Sequence, residues 1–247
     1  MSQQLNAQGL VLIIADLHLS AADTALAASF SGALDAISSI GDLSQIIIAG
    51  DLFDVWLGDD SEDYACGAEN RNTLEQLSRI APLSLMHGNR DFLISERWAE
   101  SIGATLNAND DVVINTASHN ILLCHGDHLC INDHQYQNAR KQFRDPNWQQ
   151  QMLALPLEQR IALGEKLRQD SATQSSEFLA HWDVDQTAAI DAAKRANCNT
   201  VIHGHTHRPG HHASQGFNRW VMGSWGEDGG YGLIVNTDTG EISPIWL

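Results

Sequence analysis

The sequence predicts an α/β sandwich, two β-sheets flanked by helices, with a helical insertion late in the chain. Three observations carry this reading. Apolar runs of strand length (10–15, 45–49, 82–86, 120–124, 200–202) alternate with segments of helical periodicity. Each run stops abruptly, within two residues of an Asp or His. A closing series near 218–222, 231–235 and 241–246 supplies the strands of a second sheet. With 247 residues, 43% of them hydrophobic, the chain is long enough for one domain with a sizeable core. We read 1–247 as that domain and 134–182 as an insertion within it.

The first strand, 10–15, ends in Asp16-Leu17-His18. Side chains two apart on extended backbone share a side, so Asp16 and His18 can grip one ion. Residues 24–40 have the helical pattern Leu26, Phe30, Leu34, Ile37. The strand at 45–49 breaks at Gly50 and presents Asp51 at its carboxyl end, where ligands of open α/β sheets gather. Asp54 is expected to stand behind the ligands, and Asp59 and Asp60 on a solvated loop. A helix over 70–80 leads to the strand at 82–86, which ends in His87-Gly88-Asn89-Arg90-Asp91. Asn89 offers a neutral oxygen beside the cationic Arg90. After a helix over 94–102, residues 111–115 and 120–124 form a hairpin around Ser118-His119-Asn120 and deliver Cys124-His125-Gly126-Asp127.

The segment 134–182 differs in character: Phe143, Trp148, Met152, Leu157, Ile161 and Leu167 recur at helical spacing, and Pro146 and Pro156 divide it into short helices. Between 134 and 168 it holds six bases (Arg140, Lys141, Arg144, Arg160, Lys166, Arg168) and three acids (Asp145, Glu158, Glu165). Its +3 against a chain total of −17 leaves −20 elsewhere. We expect a lid that handles an anionic or amphiphilic ligand. A helix over 185–196 precedes the strand at 200–202, which ends in His203-Gly204-His205-Thr206-His207.

With 31 acids against 14 bases, nucleic acid is excluded as a ligand, because phosphate contacts need Lys and Arg. The four cysteines lack CxxC spacing and read as reduced thiols of a cytosolic protein. The run 10–15 is too short to span a membrane and lacks the basic flank of a signal peptide. A soluble or surface-associated protein is expected.

The candidate ligands are Asp16, His18, Asp51, Asn89, His125, His205 and His207. Carboxylate, imidazole and amide without thiolate suit Mn²⁺, Mg²⁺, Fe or Zn²⁺. Seven are too many for one small ion and fit two that share a ligand. Such pairs sit ~3.5–4 Å apart and acidify water into a nucleophile for phosphoryl displacement.

These motifs, Asp16-x-His18, Gly50-Asp51-x-x-Asp54, Gly88-Asn89-Arg90-Asp91, His125 and Gly204-His205-x-His207, resemble the calcineurin-like metallophosphoesterases, in the same order and over most of the chain. The resemblance implies a four-layer fold with Asp51 bridging two ions. Asp16, His18, Asp51 and His207 would hold one, and Asp51, Asn89, His125 and His205 the other. One departure is informative: Arg90 stands where most of that superfamily has His. Arginine has no proton to give, so the leaving group must need none. A phosphate monoester, with its second pKa near ~6, fits. Asp51 and Arg90 are therefore the expected catalytic residues.

The finer stretches HGNRDFL (87–93), HGDHLCINDHQYQ (125–137), LALPLEQR (153–160) and IHGHTHRP (202–209) are similar to the UDP-2,3-diacylglucosamine diphosphatase family of lipid A synthesis in Gram-negative bacteria. That resemblance implies water attack on the α-phosphorus of the UDP-lipid, with release of UMP and the diacylglucosamine 1-phosphate. It also implies Mn²⁺, two ions per chain, and a peripheral place on the cytoplasmic face of the inner membrane; for the chain itself we expect a monomer. Asn89, Arg90, Asp133 and His205 would meet the substrate head group, with Ser171 at a substrate-binding serine position and Ser175 in place of an asparagine. A lysine of the family has no match; Glu177-Phe178 stands there instead. The lid would cover two acyl chains. Two other readings are a soluble nucleotide pyrophosphatase or phosphodiesterase, indifferent to acyl chains, and a non-catalytic scaffold, which would have lost ligands.

Overall fold

The computed structural model describes residues 3–174 and 183–247, with the side chains of 167–174 left aside. Its 13 strands form two sheets. In the seven-stranded sheet, β2 (Leu10–Ile14), β3 (Leu43–Ala49), β4 (Leu83–Met86) and β5 (Ala104–Asn107) run parallel in sequence order. β12 (Gly229–Asn236) lies antiparallel beside β2, and β11 (Trp225–Gly226) and β13 (Ile242–Trp246) pair with β12. The six-stranded sheet has the order β1 (Gln3–Leu5), β6 (Asp111–Asn115), β7 (Asn120–Cys124), β8 (Thr200–His203), β10 (Phe217–Val221), β9 (Gly210–Ser214).

Three apolar clusters explain the layering. Val11, Ile13, Ile47 and Met86 of one sheet meet Val112, Ile114, Ile121, Leu123 and Ile202 of the other. On the far side of the seven-stranded sheet, Leu12, Ile14, Ile46, Ile48 and Leu85 pack beneath α1 (Thr24–Ser38), α3 (Gly67–Ile80) and α4 (Glu96–Ser101). On the far side of the other, Val113, Leu122 and Val201 pack on Ala189, Ala192 and Ala193 of α8 (Gln186–Arg195). The order is helix, sheet, sheet, helix. Both faces of each central strand are buried, so these strands read as unbroken apolar runs rather than alternating ones. Aspartates cap α1 (Asp23), α8 (Asp185) and two helices below, where a carboxylate satisfies free backbone N–H groups.

Short, weakly apolar elements were not expected from sequence: β1, β5, β9, β11 and the four-residue α2 (Glu62–Ala65). Asp60 is exposed, as expected of a solvated position, whereas Asp59 is half-buried. They sit in a 3₁₀ turn, Asp59–Ser61, where Asp59 accepts from the Ser95 hydroxyl and from Trp56 Nε1 at 3.4 Å.

Between β7 and α8 the described chain forms α5 (His134–Phe143), α6 (Pro146–Leu153) and α7 (Leu157–Gln174). Asp133 caps α5, and Asp145 caps α6 with Pro146 in its first turn. The basic excess of this segment points inward more than out. Arg140 donates through Nε to Asp127 Oδ2 at 2.7 Å and also meets Asp110. Arg144 donates to the Gly88 carbonyl at 3.0 Å, with its guanidinium 5.4 Å over the Phe92 ring. Arg160, only 2% exposed, donates to Leu155 O at 3.0 Å, Asp60 Oδ1 at 2.8 Å and the Leu57 carbonyl. Three of the six cations therefore fasten these helices to the rest of the domain, Arg140 and Arg160 through carboxylates and Arg144 through a backbone carbonyl and a ring face, contacts for which the planar guanidinium is suited.

Candidate metal centre

The carboxyl ends of β2, β3, β4, β7 and β8 meet where the two sheets face each other, and each contributes one loop. The Gly204 N–H donates to the His125 carbonyl at 2.9 Å, and the Asp16 N–H to the Gly50 carbonyl at 3.1 Å. All seven expected ligands are brought together. Asp51 lies in the middle and is 2% exposed. His18 Nε2 is 3.9 Å from its Oδ2, and His125 Nε2 is 3.6 Å from its Oδ1. On the first side, His18 Nε2 and His207 Nε2 are 3.1 Å apart, with Asp16 Oδ1 3.2 Å from His207 Nε2. On the second, Asn89 Oδ1 lies 3.0 Å from His125 Nε2 and 2.8 Å from His205 Nδ1.

The donor chemistry fits cations. His125 Nδ1 faces the Ala49 carbonyl at 3.1 Å, and a carbonyl only accepts, so that nitrogen carries the hydrogen. Nε2 then directs its lone pair at the Asn89 oxygen, an arrangement that a cation between them satisfies. Nδ1 of His18 is buried without a hydrogen-bond partner. Burial, aided by Arg90, holds the His18 imidazole down to about 3, and burial with His125 holds His205 down to about 4, so both imidazoles are neutral, the form a cation would need. Burial pushes the Asp51 carboxyl up; at Asp16 it also acts upward, but the His207 contact and nearby imidazoles prevail and lower it.

Backbone strain marks the same atoms. Among the described residues, seven non-glycines have positive φ, and five are expected ligands: Asp16 (55°), His18 (50°), Asp51 (50°), His205 (66°) and His207 (52°). Such conformations cost ~1 kcal/mol or more each and cluster at functional sites.

Arg90 stands at the mouth, about one-third exposed, with its NH1 3.0 Å from Asp54 Oδ1 and its Nε 3.8 Å from Asp51 Oδ2. Its backbone N–H donates to Asp51 Oδ1 at 2.9 Å. Asp54 thus steers Arg90, and its charge also acts on His18. Asp133 is used in part as the cap of α5, where its Oδ1 accepts from the Tyr136 N–H at 2.9 Å. The Ser171 side chain and all of Ser175 lie outside the described residues.

Two working residues escaped sequence reasoning. Asp91 is fully buried and accepts from Leu52 N and Gly88 N, both at 2.7 Å, joining the Asp51 loop to the Asn89 loop. The motif Gly-Asn-Arg-Asp contained that signal, but not the partner 39 residues away. Asp127 accepts from Tyr136 Oη at 2.5 Å as well as from Arg140, and so seats α5 beside His205, whose ring is 6.0 Å from that of Tyr136. A cleft of about 650 Å³ at the opposite end of the sheets, lined by Asn6, Gln8, Gln45, Thr116 and Asp238, offers amides, hydroxyls and a single carboxylate, with no imidazole.

The calcineurin-like phosphoesterase family model matches residues 9–209. A UDP-2,3-diacylglucosamine hydrolase of Chromohalobacter salexigens is 37% identical over 236 residues, covering 92% of this chain and 93% of its own. One of Chromobacterium violaceum is 38% identical, over 95% and 97% of the two chains. Among solved structures, an archaeal phosphodiesterase shares the fold with a TM-score of 0.51 at 15% identity, covering 96% of this chain and 99% of its own. A carboxylate set between two donor groups, a family model matched over residues 9–209 and relatives aligned nearly end to end lead to one assignment: the chain belongs to the metal-dependent calcineurin-like phosphoesterases, and within them to the UDP-2,3-diacylglucosamine hydrolase family.

Proposed function

We propose that the protein hydrolyses the pyrophosphate of UDP-2,3-diacylglucosamine by water attack on the α-phosphorus, releasing UMP and 2,3-diacylglucosamine 1-phosphate. The observation that carries this is Asp51, whose Oδ2 faces the His18 side and whose Oδ1 faces the His125 side, with Arg90 beside it at the opening. Asp16, His18, Asp51 and His207 would hold one Mn²⁺, and Asp51, Asn89, His125 and His205 the other. When bound, the two ions supply Lewis acidity and a water acidic enough to attack at neutral pH. The chain's own residues do the rest. Asp51 and Asp16, both buried, offset cationic charge. Arg90, held by Asp54, offers a fixed guanidinium to the departing phosphate, which leaves without a proton. Asn89, Asp133, His205, Ser171 and Ser175 would meet the head group.

The test is Mn²⁺-dependent UMP release from UDP-2,3-diacylglucosamine, compared with non-acylated UDP-glucosamine, in wild type and Asp51→Ala. Loss of activity in the variant and strong preference for the acylated substrate are expected. Equal rates on both substrates would favour a soluble nucleotide pyrophosphatase, and full activity of Asp51→Ala would end the reading.

The acyl chains give the insertion its role, and we place the protein as a monomer on the cytoplasmic face of the inner membrane. No described helix is long and apolar enough to cross a membrane. Leu153, Leu155 and Leu163 of the insertion are 44%, 38% and 36% exposed. With Arg140, Arg144 and Arg160 turned inward, contact with an anionic surface rests on these leucines more than on charge. Replacing the three leucines with Asp should abolish sedimentation with phosphatidylglycerol-containing vesicles; unchanged sedimentation would refute this placement.

A further inference from the structure

His203, the first histidine of His203-Gly204-His205-Thr206-His207, is fully buried at the end of β8 and is not among the seven donors. Its Nε2 is 3.1 Å from Arg219 NH1, and its Nδ1 is 2.9 Å from the Gly204 carbonyl. A guanidinium only donates and a carbonyl only accepts, so Nε2 accepts from Arg219 and Nδ1 carries the hydrogen donated to Gly204. One tautomer satisfies both contacts.

Arg219 is itself buried, on β10, which pairs in parallel with β8. Its Nε donates to Gln186 Oε1 at 3.2 Å, and this fixes the plane of the guanidinium. At the other end of the relay, the Gly204 carbonyl also accepts from the Thr206 N–H at 2.7 Å, while the Gly204 N–H donates to the His125 carbonyl. A Cβ at Gly204 would lie 2.3 Å from Asp16 Oδ2, so the chain passes as close to that carboxylate as glycine permits. Immediately beyond come His205 and His207 in left-handed backbone, a conformation that persists only where the surroundings over-determine it.

We propose that Arg219 is a positioning residue of the metal centre: through His203 it orients the Gly204 carbonyl and so holds His205 and His207 where both divalent cations are bound. This rests on the two-ion reading of the donor set given above. Arg219 touches none of the seven donors in the contacts described, so its effect must be read as metal affinity.

The experiment titrates Mn²⁺ into metal-free protein by calorimetry and by electron paramagnetic resonance, with circular dichroism as the control for folding. Arg219→Met should weaken Mn²⁺ binding ~10–100-fold, the range known for residues that orient metal ligands. Arg219→Lys should recover part of the loss. His203→Asn keeps an amide donor near the Nδ1 position, so it should bind Mn²⁺ within a few-fold of wild type and make Arg219→Met silent when the two are combined. Long-range ¹H–¹⁵N spectra of the wild-type protein, which need no folded variant, should show His203 as the Nδ1–H tautomer. Unchanged Mn²⁺ affinity in Arg219→Met, additive losses in the double variant, or an Nε2–H tautomer would each overturn the relay while leaving the metal centre standing. A wild-type protein that binds no Mn²⁺ overturns both.

Discussion

Replacing Gly88 with alanine isolates the contact on which the placement of the Asp51 carboxylate depends. A Cβ there would fall 2.1 Å from Asp51 Oδ1 and 2.2 Å from Asp51 N, where ordinary contact begins near 3.4 Å. Gly88 shows no positive φ, so the objection is steric alone. More than 1 Å must be found by moving Asp51 or the loop of Asn89 and Arg90. Both are fixed: Asp51 accepts from the Arg90 N–H at 2.9 Å, and Asp91 ties Gly88 N to Leu52 N. A misplacement of ~1 Å in a catalytic constellation costs about 100-fold in rate, which is ~2.7 kcal/mol. Gly88→Ala should therefore lower kcat/KM for UMP release about 100-fold and weaken Mn²⁺ binding, with circular dichroism unchanged. Gly226→Ala is the control, since nothing lies within 4 Å of its Cβ. Activity of Gly88→Ala within threefold of wild type would refute the claim that these two loops must touch for the site to work.

Gly32 lies exposed inside α1 with open space around its Cβ, so Gly32→Ala should stabilise the fold by ~0.5–1 kcal/mol, seen as a rise of about 1–4 °C in Tm. The His128 imidazole lies 3.4 Å from Asp111 and 3.9 Å from Asp127; burial acts to lower it, but the two carboxylates raise it to about 9. Because the folded value lies above the ordinary 6.5, its stabilisation is complete below that pH and disappears as pH rises through about 9. Urea midpoints measured from pH 7 to 10 should fall more steeply in wild type than in His128→Gln. Asp60→Ala leaves the buried Arg160 guanidinium without its carboxylate, and trypsin should then cleave within 157–168 faster than in wild type. Asp91→Asn replaces an acceptor of three backbone N–H groups with an amide and should cost both Mn²⁺ affinity and about 1–3 kcal/mol of stability by urea titration.

The donor set was legible because each ligand follows its strand by one to four residues, and the local sequence records both the apolar run and the break. What joins the loops was not legible. Asp91 reaches Leu52, Arg160 reaches Asp60 and Arg219 reaches His203, and nothing local to either partner announces the other. The same blindness gave the insertion an outward-facing positive charge, since composition counts cations without showing that Arg140 ends on Asp127. β9, Gly210–Ser214, escaped for another reason: it is an edge strand of exposed histidines without an apolar pattern. β5, only four residues long, is as hard to separate from a turn.

The five left-handed ligands make the empty and the loaded protein answer to opposite pressures. Glycine or asparagine at position 207 would relax the backbone and toughen the chain in the absence of ions while surrendering an imidazole donor. Screening for thermal tolerance in a chelator would therefore drift toward inert variants, and screening in the presence of manganese would retain histidine there.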